Sequence, residues 1–103
     1  MTYKLIVTAP LSHADVVREA IGEAGGGKIG NYSFCSFSTV GIGRFKPDQG
    51  ANPAIGEVGQ FEQVEEERIE VTVHEDVLDD VIAAIKKVHP YEEVVIDVYK
   101  LES

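Results

Sequence analysis

The chain has 103 residues, a formal net charge of −9 and an apolar fraction of 44%. That length suits one modest domain, 1–103, with about two-thirds of its unfolded surface buried. Nine acidic residues between Glu62 and Asp80 face Arg68 alone, which argues against nucleic acid as a partner, since binding a polyanion needs clustered Lys and Arg.

Tyr3 to Ala9 is a short, β-branched apolar run that predicts a strand, ended by Pro10. Ser12 offers an N-cap with Asp15 three residues on, close to a capping box. Val16, Val17, Ala20, Ile21 and Ala24 then trace one apolar helical face. Gly25-Gly26-Gly27 stops that helix, where a left-handed C-cap costs glycine least. The following GGGKIG stretch reads as a structural turn. Anion-binding glycine loops open a helix, whereas this one closes a helix and enters a strand.

Tyr32 to Val40 alternates, with Phe34 on one face and Cys35 and Phe37 on the other, and predicts a second strand. Gly41 to Gly59 holds five of the ten glycines and two of the four prolines, and keeps no period. It is expected to be the tip of a long β-hairpin, as a functional or disordered loop. Glu62 to Glu67 is polar, and its run Glu65-Glu66-Glu67 reads as an acidic, solvated strand start that discourages edge pairing. Arg68 to Val73 alternates cleanly, with Ile69, Val71 and Val73 to one side.

Glu75 to Val88 predicts a helix with an apolar stripe of Val77, Leu78, Val81, Ile82, Ile85 and Val88. Its acidic residues come early and Lys86, Lys87 and His89 late, complementing the helix dipole. Pro90 ends it, and Glu93 to Leu101 predicts the last strand. The order β-α-β-β-α-β implies an α+β, ferredoxin-like sandwich. One antiparallel four-stranded sheet carries two helices on one face, in the spatial order fourth, first, third, second.

Strand polarity then brings three segments to one pole: Pro10 to His13, the glycine-rich loop, and His89-Pro90-Tyr91-Glu92-Glu93. The turn after the first helix and His74 fall at the other, with Cys35 in that half. The candidate ligand-binding set is His13, Arg44, Asn52, His89, Tyr91 and Glu92. Arg44 and Lys46 are the basic residues of the loop and make a small anion conceivable as ligand. His13, His89 and Glu92 form an alternative divalent-cation set, against the bland reading of two surface histidines near helix ends. The turn at His89 also has two readings from its residues alone. Either Pro90 and Tyr91 merely shape and pack the turn, or an imidazole, a phenol and two carboxylates serve the neighbouring loop.

No nucleophile, base and orienting group fall together, so no catalytic residue and no cofactor is assigned. Cys35 is expected to be a buried, inert thiol; being the single cysteine it forms no internal disulfide, which fits a reducing cytoplasm. No run approaches the roughly 18 apolar residues of a membrane span, and the N-terminus lacks the plan of a signal peptide.

Several separated motifs carry a family resemblance. They are Gly30-Asn31-Tyr32, Cys35-Ser36-Phe37, Gly50-Ala51-Asn52-Pro53, Ile55-Gly56-Glu57-Val58-Gly59 and His89-Pro90-Tyr91-Glu92-Glu93. Together they resemble the PII/CutA-like domain inserted in many bacterial members of the NIF-three-like, dinuclear-metal-centre family. His89-Pro90-Tyr91-Glu92 also resembles, more distantly, the CutA family. In the NIF-three-like family the metal ligands lie in two halves flanking the insert, and nothing here corresponds to those halves. The resemblance therefore implies a free-standing, non-enzymatic module, without the family's metal ligands or hydrolase activity. It also implies trimers formed through sheet edges.

Overall fold

The computed structural model describes residues 1–102. Four strands, β1 (Thr2–Pro10), β2 (Phe37–Phe45), β3 (Glu62–His74) and β4 (Ile96–Lys100), form one sheet in the order β2-β3-β1-β4. Every hydrogen-bonded neighbour is antiparallel. Two helices, α1 (Ala14–Glu23) and α2 (Glu75–Val88), complete the predicted ferredoxin-like order.

Alternation explains the core. Leu5, Val7 and Ala9 on β1 and Ile69, Val71 and Val73 on β3 share one face of the sheet. They pack against Val17 and Ile21 of α1 and Val81 and Ile85 of α2. Val77, Leu78, Ile82 and Val88 flank that core on α2, as the stripe predicts.

The helix ends differ from expectation at one point. Ser12 does not cap α1: Leu11 to His13 form a 3-10 turn, and Ser12 Oγ bonds His13 Nδ1 instead. The glycine stop holds. Gly25 has φ +101°, its N–H donates to the Gly22 carbonyl, and the Gly26 N–H donates to that of Ile21, the paired bonds of a Schellman ending. At α2 it is His74 that caps, its Nδ1 accepting from the Asp76 N–H at 3.3 Å.

The second strand is shifted. Tyr32 to Ser36 is not strand; Ile29 and Tyr32 pair in an isolated bridge, Phe34 sits at φ +60°, and the Cys35 N–H returns to the Gly27 carbonyl at 2.9 Å. A left-handed residue and a local tether both break an extended ladder. Cys35 therefore lies ahead of β2, half-buried rather than buried, with Sγ 3.9 Å from the Ser33 carbonyl. At the other end β2 runs on through Gly41 and Gly43 to Phe45, opposite Glu62. The loop shrinks to residues 46–61. β4 likewise starts later than predicted, at Ile96, leaving residues 89–95 as an extended turn.

Candidate functional site

β3 outruns β1. Its pairing with β1 ends at Pro10↔Glu66, while Glu62 to Glu65 pair with β2 alone. The hairpin thus stands beyond the end of β1 at the pole where α2 delivers the 89–95 turn. Between loop 46–61 and that turn lies a cavity of about 660 Å³, within the range of small-ligand sites.

His89 anchors the turn from below. It is buried, its Nε2 lies 2.8 Å from the Thr8 carbonyl, and its Nδ1 accepts from the Tyr91 N–H at 3.2 Å. A carbonyl can only accept, so Nε2 carries the proton and Nδ1 offers its lone pair to Tyr91. Both ring nitrogens are occupied. The Tyr91 ring stacks tilted against His89, with centroids 4.9 Å apart, and lies 6.3 Å from that of Phe45. Its hydroxyl donates to Glu66 Oε2 at 2.6 Å. Burial, reinforced by this carboxylate, raises the Tyr91 pKa above its ordinary value, so the phenol keeps its proton and remains a donor.

Glu66 corrects the reading of Glu65 to Glu67 as a solvated run. Glu66 is 8% exposed, and Glu67 takes a salt bridge from Arg18 of α1. Alternation places Glu67 on the helix side of the sheet and Glu66 on the open side. There the missing side chain of Gly43 leaves room for it: a Cβ at Gly43 would stand 2.5 Å from the Glu66 carboxyl carbon. The one available signal was the spacing of Gly41 and Gly43, two gaps on one face of an edge strand.

A hydrogen bond ties the loop to the turn. The Glu92 carboxylate accepts from the Asn52 N–H at 2.9 and 3.3 Å, joining the loop to the turn. Arg44, Tyr91 and Glu92 line the cavity together with Glu66. Arg44 Nε is held by Gln63 Oε1 at 3.2 Å, and Lys46 pairs with Asp48 at 3.8 Å. Of the expected residues, Asn52 touches the site through its backbone. His13 shares the pole but does not line the cavity, its ring bonded to Ser12. His13, His89 and Glu92 are not brought together as ligands, and among the described residues no group of three His, Cys, Asp or Glu is placed to hold a metal. No described helix is long and apolar enough to cross a membrane.

No family model matches the sequence. The chain is 54% identical over 99 residues to a protein of Halalkalibacterium halodurans named GTP cyclohydrolase 1 type 2 homolog, covering 96% of this chain and 27% of that protein. It thus spans about a quarter of the length of the curated relatives it matches. A solved Bacillus cereus protein related to NIF3 superposes with a TM-score of 0.86 at 46% identity, over 99% of this chain and 26% of that one. The periplasmic divalent cation tolerance protein CutA of Archaeoglobus fulgidus superposes with a TM-score of 0.70 at 19% identity, over 100% of this chain and 86% of that one; this likeness is one of fold. The chain thus has the ferredoxin-like fold seen in CutA, and nearly its whole length is similar to a quarter-length region of a protein related to NIF3.

Proposed function

We propose that this chain is a non-enzymatic, trimeric PII/CutA-like module of the cytoplasm that binds a small ligand or a protein partner, in a regulatory role, at the pole formed by loop 46–61 and the 89–95 turn. The cavity between those segments carries the proposal. Its walls come from two elements far apart in sequence, tied by the Asn52–Glu92 bond. Occupancy can therefore report on loop position, which is what a binding module needs for signalling.

The trimer is supported by the sheet edges. β2 and β4 each pair on one side only, and Phe37, Val40 and Ile42 on β2 and Tyr99 on β4 are each at least half exposed. Apolar side chains on unpaired edges favour association with further copies. Divalent-cation binding, suggested by the name of the Archaeoglobus neighbour, loses His89 from its expected ligand set within one chain, because both its ring nitrogens are already bonded.

Sedimentation equilibrium tests the assembly, with three chain masses expected and a monomer refuting it. A thermal-shift screen of metabolites and nucleotides, followed by amide-shift mapping, tests the site. Ligands that move resonances of loop 46–61 and residues 89–95 support it. Binding confined to the opposite pole refutes it.

A further inference from the structure

We infer that the cavity selects a small organic cation, an ammonium compound with an apolar body, and that Glu66 is its specificity-determining residue. This deepens the reading above and rests on the cavity being the ligand site.

The observation is a carboxylate satisfied on one side only. Glu66 is more than nine-tenths buried. Oε2 takes the Tyr91 hydroxyl, and Oε1 has no hydrogen-bond partner among the described residues. No fully buried side-chain oxygen or nitrogen there lacks a partner, so Oε1 must reach open space. The space beside it is the cavity, which Glu66 and Gly43 both line. Gly43 leaves the carboxylate room to sit at the cavity wall, since any Cβ there would overlap it. A largely desolvated anion with one free oxygen is matched best by a charged N–H donor.

The walls point the same way. Phe45 and Tyr91 contribute two aromatic rings to the cavity lining, 6.3 Å apart, and ring faces attract ammonium groups. Pro47, Pro53, Ile55 and Val95 supply apolar surface for the rest of the ligand. The basic residues offer less to an anion. Arg44 is exposed and tied to Gln63, while Lys46 pairs with Asp48 and lies over the Phe61 ring at 5.6 Å. Four carboxylates, Asp48, Glu66, Glu92 and Glu93, line the cavity against those two cations.

The test titrates the full chain with phenethylamine, neutral 2-phenylethanol and anionic 3-phenylpropionate, followed by amide shifts. Phenethylamine should shift residues around Gly43 and Tyr91 and bind about tenfold or more tightly than the other two. Glu66→Gln, which keeps the side-chain shape, should lose that preference while retaining a folded spectrum. Tyr91→Phe, which leaves the carboxylate in place, should keep it. Equal or tighter binding of the alcohol or the acid in this cavity would overturn the inference and leave the cavity standing as a ligand site. So would an amine preference that survives in Glu66→Gln. A response to a lysine-bearing peptide with none to phenethylamine would overturn it in favour of a protein partner. If no probe of any charge moves a cavity resonance, the ligand-site reading falls as well.

Discussion

Replacing Gly43 by alanine isolates the contact on which the site is built. Gly43 is not in the left-handed region, so its backbone accepts alanine without strain. In a strand the change should by itself stabilise by roughly 0.5–1 kcal/mol, because glycine loses more chain entropy on folding. Against that, the new Cβ would stand 2.5 Å from the Glu66 carboxyl carbon. The carboxylate must move, and with it goes the 2.6 Å bond from the Tyr91 hydroxyl. A hydrogen bond to a charged group is worth about 1.5–3 kcal/mol, so the net expectation is a loss of about 1–2 kcal/mol. For a domain of this size that lowers the thermal midpoint by about 5–10 °C. Urea denaturation of Gly43→Ala, Tyr91→Phe and the double variant forms a cycle that reads the coupling directly. Once Tyr91 lacks its hydroxyl, the alanine has no bond left to break, and its penalty should vanish or change sign. Additive effects, or a Gly43→Ala chain more stable than the parent, would refute the placement of Glu66 over Gly43.

Other outcomes follow from the same contacts. The raised pKa of Tyr91 means that its phenol stabilises the fold fully below the ordinary tyrosine value of about 10, and that this contribution is lost as pH rises through the folded value. The stability gap between parent and Tyr91→Phe should therefore be constant from neutral pH to about 10 and close above it. An ultraviolet titration should show one of the four tyrosines ionising after the rest; four coincident ionisations would contradict it. Gly27→Ala should cost roughly 2–3 kcal/mol in chemical denaturation, combining a φ of +75° with a Cβ 2.8 Å from the Cys35 nitrogen. A cost under about 0.5 kcal/mol would mean that the turn relaxes freely. Glu92→Ala removes the acceptor of the Asn52 N–H, so exchange of that amide should quicken about fivefold, in line with a bond worth about 1 kcal/mol. Unchanged exchange would mean that the loop is held by other contacts.

The elements that survived from sequence to structure are those with strong local periods. α2 matches its predicted span, Glu75–Val88, because its stripe, early acids and Pro90 all agree. β1 and the alternating half of β3 hold for the same reason, and their directions bring the loop and the His89 turn to one pole. Boundaries failed where a nonlocal contact outweighed the local pattern. Tyr32 to Ser36 alternates like a strand, yet it turns back onto Gly27. Gly41 and Gly43 look like loop residues, yet β3 recruits them into the sheet.

Periodicity, chain direction and helix punctuation are properties of neighbouring residues, and these one-dimensional features were enough to determine the β-α-β-β-α-β plan and the shared pole. Only the tertiary structure decided that Glu66, one of three consecutive glutamates, lies buried beneath a tyrosine hydroxyl. The physical reason is register: a carboxylate is desolvated or left in water according to what the next strand and a turn 25 residues away set over it, and no local pattern encodes that alignment.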